Sequence, residues 1–323
     1  MSLIEFAEER GLSSSSSDLY FNAVKSYESF CSLFLNDMVV FDDLLKMADD
    51  EELSLRWKDR TIRKLLLEYR RWLFENKSYN TAVTYFNKIK TLYRHNEIEI
   101  RELPSFKSKQ FKTSKKEFTD IPTKDEIKCA YLSCDNLEVR TIILLAATSG
   151  LSKIDILNLT VNDFIKSVGL VDDTDIQKKL MALKNDDMII PVFRGNRQKT
   201  GTNYITFTTN EVMKKIITCL EQRFHITKDN LLFTISKNQL DYQLRKVNDK
   251  CDFGKVNYGR KFRMHQLRSF HASFLVKNNV FTIEEVDTLQ GRCKDKTHRT
   301  YFLEDPEKLK EKYLSMVEEL TFF

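Results

Sequence analysis

Proline and glycine are scarce in this chain, four and eight among 323 residues, which argues against a loop-dominated architecture and points to a helix-rich fold. No uninterrupted apolar window of about 18 residues occurs, so a membrane-spanning helix is not expected. The opening Met1-Ser2-Leu3-Ile4-Glu5-Phe6 is acidic and lacks an apolar core, which excludes a secretory signal there. Six cysteines (Cys31, Cys129, Cys134, Cys219, Cys251, Cys293) are scattered without a C-x-x-C pair. They offer no zinc-site spacing and read as reduced thiols of a cytoplasmic protein. Charge of one sign is not dominant either. A net +5 is too modest to establish a nucleic-acid partner, so the placement of the bases must decide. What is present is ordinary for a globular protein, 41% hydrophobic and 31% charged, in a chain long enough for two domains.

Periodicity and punctuation give the organisation. The serines at 13–17, followed by Asp18, read as a flexible lead-in over 1–17 that ends in a helix cap. Apolar residues then recur at three- and four-residue spacing: Tyr20, Val24, Tyr27 and Phe30; Ile62, Leu65, Tyr69 and Trp72; and, after a cap at Ser78, Phe86, Ile89 and Tyr93. This predicts a helical domain over 18–103. Lys88, Lys90 and Arg94, with Arg70 and Arg71, are either a DNA-facing surface or the solvated face of a bundle. Residues 104–122 carry no helical period, and Lys107, Lys109, Lys112, Lys115 and Lys116 crowd between two prolines. This is the expected domain boundary, a basic linker serving either as spacer or as a strap along DNA phosphates.

The second domain is expected over 123–323. It opens on a capping box at Thr123 and Glu126. An apolar helix at 140–148, a turn at Ser149-Gly150 and a helix from Lys153 to Leu159 follow. Two β-prone runs, 188–193 and 204–207, flank a hairpin that carries Arg194, Arg197 and Lys199. The fold class is therefore mostly α with a small antiparallel β-sheet. After Asp305-Pro306 a last helix aligns Leu309, Tyr313, Val317 and Leu320 in one stripe.

The chemistry concentrates near the carboxyl end. His265 and Arg268 lie three apart and share a helical face; Gly291-Arg292 follows, and Tyr301 stands nine residues after Arg292. Cations and one phenol, with no acidic metal-binding cluster around them, suit attack by a tyrosine oxygen on a phosphodiester. The cations hold the non-bridging oxygens while the phenol becomes attached to phosphorus. A phenol with a pKa near ~10 needs such cations to favour phenolate. No metal or cofactor is called for.

In order and spacing these residues resemble the tyrosine recombinase (phage integrase) family, whose signature reads H-x-x-R, then G-H or G-W, then a tyrosine nine residues on. The resemblance covers roughly 60–323. It implies an N-terminal SAM-like helical core-binding domain and a C-terminal catalytic domain, with Tyr301 as nucleophile, Arg268 clamping phosphate and His265 transferring a proton or bonding phosphate. Ser149-Gly150-Leu151-Ser152-Lys153 resembles the family's first box, with Lys153 where an arginine is expected. Lysine keeps the charge but lacks the planar fork that grips two oxygens. Arg140, ahead of the apolar helix, is the weaker substitute. Lys199 matches the family's hairpin lysine, general acid toward the leaving 5′ oxygen. Gln290-Gly291-Arg292 is similar to a Q-G-R variant found among archaeal provirus and plasmid integrases, with Arg292 as a further phosphate ligand. His271 reads as a packing or DNA-contact residue. The stripe of the last helix packs on its own domain or, as in the family, on a neighbouring subunit.

The resemblance thus implies a recombinase that cleaves and rejoins duplex DNA through a 3′-phosphotyrosyl link, as a homotetramer on two attachment sites. Lys88, Lys90, Arg94, the five linker lysines and Arg197 would contact DNA. One alternative is a type IB topoisomerase-like enzyme. Another is a site-specific DNA-binding protein with impaired catalysis, for which Lys153 is the motive.

Overall fold

Among the described residues the first part of the chain forms the α-helices α1 (Leu3–Glu9), α2 (Ser14–Leu35), α3 (Phe41–Ser54), α4 (Thr61–Asn76) and α5 (Tyr79–His95), of which α2, α4 and α5 follow the apolar periodicity. The fold is that of a computed structural model, which describes residues 3–105, 117–170, 176–256, 259–292 and 305–323. Two units separate, Met1–Ser114 and Lys115–Phe323. At the centre of the first, Tyr27, Tyr69 and Tyr93 are wholly buried, with ring centroids 4.8 Å apart for Tyr27–Tyr69 and 6.1 Å for Tyr27–Tyr93. Burial of a phenol requires a partner for its hydroxyl. Tyr93 donates to Tyr27 at 3.3 Å, and Tyr69 to Ser26 Oγ at 3.1 Å.

The lead-in expected to be flexible is helical where described. Phe6 of α1 is buried, its ring 4.7 Å from those of Tyr20 and His95, while Glu9 pairs with His95 Nε2 at 3.0 Å. A single aromatic anchor has no period, so the spacing of apolar residues did not reveal it. Ser13 stands at the N-cap of α2, but its side chain makes no capping bond.

The second unit is built around α7 (Leu137–Ser149), preceded by α6 (Lys124–Ser133). Ten of the thirteen residues of α7 are buried, so it is apolar on nearly every face, the mark of a central helix. Asn136 Oδ1 caps it, accepting from Val139 N at 3.0 Å. Then come α8 (Lys153–Leu157), α9 (Val161–Ser167) and α10 (Ile176–Leu183). The hairpin joins β1 (Val192–Asn196) to β2 (Asn203–Phe207), with Val192 opposite Phe207 and Asn196 opposite Asn203. β1 starts four residues later than the β-prone run at 188, because Pro191 has no N–H to give a ladder. Helices α11 (Asn210–Glu221) and α12 (Lys237–Lys250) lead to a two-residue pair, β3 (Lys255–Val256) and β4 (Gly259–Arg260), which apolar alternation is too short to announce. Helices α13 (Met264–Lys277), α14 (Ile283–Leu289), α15 (Pro306–Leu314) and α16 (Val317–Leu320) are the last described elements of the unit.

The last stripe finds its cover within the same unit. Leu309, Tyr313, Met316 and Leu320 are buried with Phe207, Leu275, Phe281, Val286 and Leu289. Phe322 is buried as well, its N–H donating to Glu211 Oε2 at 2.8 Å. Of the two placements open from the sequence, the described helices take the one on their own domain. No described helix is long and apolar enough to cross a membrane.

Candidate active site

A helix leaves its last carbonyls without intrahelical donors, and at the end of α7 three successive ones are met from three different elements. Tyr313 of α15 donates to Thr148 O at 3.0 Å, Thr206 of β2 donates through Oγ1 to Ser149 O at 2.6 Å, and Arg268 of α13 donates through Nη1 to Gly150 O. A guanidinium there also complements the negative end of the helix. Gly150 closes α7 with φ +65°, and a Cβ on it would lie 2.4 Å from His271 Nδ1. Backbone strain and collision act together. Gly150→Ala is therefore expected to destabilise the domain by about 2–4 kcal/mol, read as a fall in thermal midpoint; an unchanged midpoint would show the contact to be yielding.

Arg268 is the centre of the arrangement. It is buried, and its Nη2 donates to Gln290 O. Gln290 Nε2 answers by donating to Arg268 O at 3.0 Å and meets His271 Nδ1 at 3.0 Å. Burial first, then the neighbouring cations Arg292 and Arg197, lower the Arg268 pKa to about 9, while Asp155 and Asp287 act the other way. The guanidinium still carries its charge at neutral pH. His271 is fully enclosed; burial, Arg268 and Arg292 hold its pKa down to about 3, so it is neutral packing beneath the cleft. This matches the packing role open to it from sequence. Arg292 follows Gly291, which has φ +58°, and its pKa is lowered mainly by burial.

Above this layer lies a cleft of about 660 Å³ that brings together Lys153, Arg197, His265, Arg268 and Arg292, with Arg263 and Asp241 beside them. His265 is exposed on the first turn of α13, one turn before Arg268. Lys153 is the first residue of α8, its Nζ 2.8 Å from both carboxylate oxygens of Asp241. Arg197 begins the hairpin turn, which its N–H closes on Thr202 O at 2.8 Å, and its buried Nε has no hydrogen-bond partner among the described residues. Lys199 sits apart from these, exposed on the turn and not lining the cleft. Arg140 donates through Nε to Cys134 O and lies over the Tyr131 ring, a structural placement. Tyr301, Lys107, Lys109, Lys112, Lys115 and Lys116 lie outside the described residues. Lys88, Lys90 and Arg94 belong to the first unit. There Lys88 stands over the Tyr20 ring at 4.0 Å and Lys90 over the Phe86 ring at 5.0 Å; burial, Arg94 and Arg70 lower the Lys90 pKa.

Four participants escaped the sequence reading. Gln290 was noted only as part of a motif, although it holds both Arg268 and His271. Asp155 is buried and accepts from Gln198 N at 3.1 Å and Ser152 Oγ at 2.6 Å, so it ties the hairpin turn to the start of α8. Its place two residues after Lys153 was the available signal. Arg263 stands at the N-cap of α13, two residues before His265, which was its signal, whereas Asp241 had none because it reaches the cleft from a different element, α12. Among the described residues no group of three or more His, Cys, Asp or Glu is arranged to hold a metal ion.

No family model matches the chain, and no curated protein matches it. Solved structures do. The chain is similar to a lambda integrase dimer bound to a COC′ core site, with TM-score 0.57 and 12% identity over 93% of this chain and 75% of that one. It is also similar to the lambda integrase fragment 75–356, again a dimer bound to a COC′ core site, with TM-score 0.55 and 13% identity over 92% and 91%. The expected fold class, mostly α with a small antiparallel sheet, is the observed one, with a second two-residue pair added, and the fold matches that of these integrases.

Proposed function

We propose that this chain is a site-specific DNA recombinase of the tyrosine type, cleaving and rejoining duplex DNA through a 3′-phosphotyrosyl intermediate. One observation carries the reading: five cations or imidazoles singled out from sequence order, Lys153, Arg197, His265, Arg268 and Arg292, meet in one cleft, with Tyr301 nine residues beyond Arg292 in the chain. An unpaired buried donor such as Arg197 Nε calls for an acceptor, and a phosphate oxygen is one. In this reading Arg268, Arg292 and Lys153 hold the non-bridging oxygens of the scissile phosphate, and His265 bonds phosphate or moves a proton. The Tyr301 oxygen bonds to phosphorus as the bond to the 5′ oxygen breaks, and Lys199 at the hairpin turn protonates that leaving oxygen. A 5′-hydroxyl of a partner duplex then attacks the phosphotyrosine and restores the phenol, conserving bond energy.

The lambda integrase dimers are bound to a COC′ core site, which supports duplex DNA as the partner here. The bases around Phe86 and Tyr20 in the first unit would track its backbone. Exchange between two sites implies four copies of the chain. The Gln290-Gly291-Arg292 variant resembles one found among archaeal provirus and plasmid integrases, which supports such an origin. The decisive experiment incubates the protein with nicked suicide duplexes bearing candidate attachment sites and maps any covalent adduct by peptide mass. Attachment to Tyr301, lost in Tyr301→Phe, supports the recombinase. Site-specific binding without an adduct would replace it with a catalytically impaired DNA-binding protein, and relaxation of supercoils without strand exchange with the topoisomerase-like alternative.

A further inference from the structure

Asp241 is the only carboxylate among the described residues that line the cleft, which it shares with Lys153, Arg197, Arg263, Arg268 and Arg292. Both of its oxygens lie 2.8 Å from Lys153 Nζ, with the lysine side chain 22% exposed and that of the aspartate 42%. The two residues come from different elements, the first turn of α8 and the second turn of α12. Nothing in the helix itself favours a lysine at this point. A cation at the N-terminus of a helix meets the positive end of the peptide dipoles, and Arg197, Arg263, Arg268 and Arg292 repel it further. A four-carbon stem also has many rotamers to lose. Left alone, the ammonium would turn out to water. A carboxylate gripping it symmetrically removes that freedom and keeps it over the cleft.

We propose that Asp241 is the positioning residue of this cleft: it holds the Lys153 ammonium at the phosphate-binding place and releases it to a phosphate oxygen when DNA enters. This rests on the recombinase reading and adds to it how a lysine does the work of a forked arginine. The guanidinium carries its own geometry, whereas lysine borrows geometry from a neighbouring carboxylate. Binding then exchanges one anionic partner of Lys153 for another. Because Asp241 is also the one negative charge among the described residues of the cleft lining, its removal acts in opposite senses on two measurements. Anion affinity rises or holds, while the rate of the phosphate-directed step falls.

The test compares wild type with Asp241→Asn and Asp241→Glu in three readouts: duplex affinity, single-turnover covalent trapping, and modification of Lys153 by an amine-acylating reagent, scored by peptide mass. In Asp241→Asn, Lys153 modification is expected to rise several-fold and trapping to fall about tenfold or more, with duplex affinity equal or up to about threefold tighter. Asp241→Glu is expected to recover most of the trapping. Unchanged Lys153 modification together with wild-type trapping overturns the proposal. So does a parallel loss of affinity, trapping and thermal midpoint, which would make the pair a structural strut. If the wild type itself never traps DNA, the recombinase reading fails, but the modification arm still decides. Lys153 protected from reagent by Asp241 and further by duplex DNA supports the positioning role, and equal modification in all three proteins refutes it.

Discussion

Arg268→Lys is expected to lower covalent trapping of DNA by about 10³-fold while leaving duplex binding within a few-fold of wild type. Of the five N–H groups of this guanidinium, two are engaged by Gly150 O and Gln290 O, and the cleft lies against the same side chain. It is thus fixed by the protein before any substrate arrives, and a donor that needs no reorganisation is worth most to charge that develops in a transition state. An ammonium can replace the charge but not the fork, since three tetrahedral donors cannot serve two backbone carbonyls and a phosphate in one plane. Duplex affinity depends on many backbone contacts, so it should survive. The variant also leaves a buried carbonyl short of a donor, at about 1–3 kcal/mol, and its thermal midpoint must therefore be recorded alongside. Trapping within tenfold of wild type in a folded Arg268→Lys would remove Arg268 from the reaction.

Why Arg268 was legible in the sequence and its supports were not follows from how each is placed. His265 and Arg268 share a helical face by spacing, and Gly291-Arg292 follows a short helix, so their grouping is written in local order. The central helix, the capping box at Thr123, the cap at Ser78 and the Pro306 start of α15 were local as well, and the structure has them. Asp241 and Gln290 act across elements, where no period or spacing connects them to Lys153 or to Arg268 and His271. Lys153 shows the division within one residue: its position in the Ser149-Gly150-Leu151 stretch marked it, while the aspartate that orients it lies 88 positions later. Lys199 is the converse. Spacing placed it on the hairpin turn, as found, but the cleft receives Arg197 from that turn instead. The N-terminal helix was missed because Phe6 is one anchor rather than a stripe.

Acid should unfold the second unit through His271. Its ring meets Gln290 at Nδ1, packs against Gly150, and faces the charged Arg268 of its own helix and Arg292 beyond α14, with the Thr148 carbonyl from α7 as the partner that favours its proton. In the unfolded chain such an imidazole takes up a proton near ~6.5, whereas the folded one refuses it until about 3. Above the unfolded value both states are neutral and the full stability is present. As pH falls below that value the unfolded state gains a proton the native state lacks, and stability drains away until the folded pKa is reached. At about 1.4 kcal/mol per pH unit, the loss attributable to this one ring is on the order of 4 kcal/mol between those limits. His271→Gln keeps a donor and an acceptor near Gln290 and cannot titrate. Denaturant melts taken at intervals from pH 7 to pH 4 should show a steep decline in wild type and a distinctly shallower one in the variant. Parallel declines would mean that carboxylates elsewhere govern the acid limit, and that the neutral imidazole under the arginine cluster carries no more than its packing.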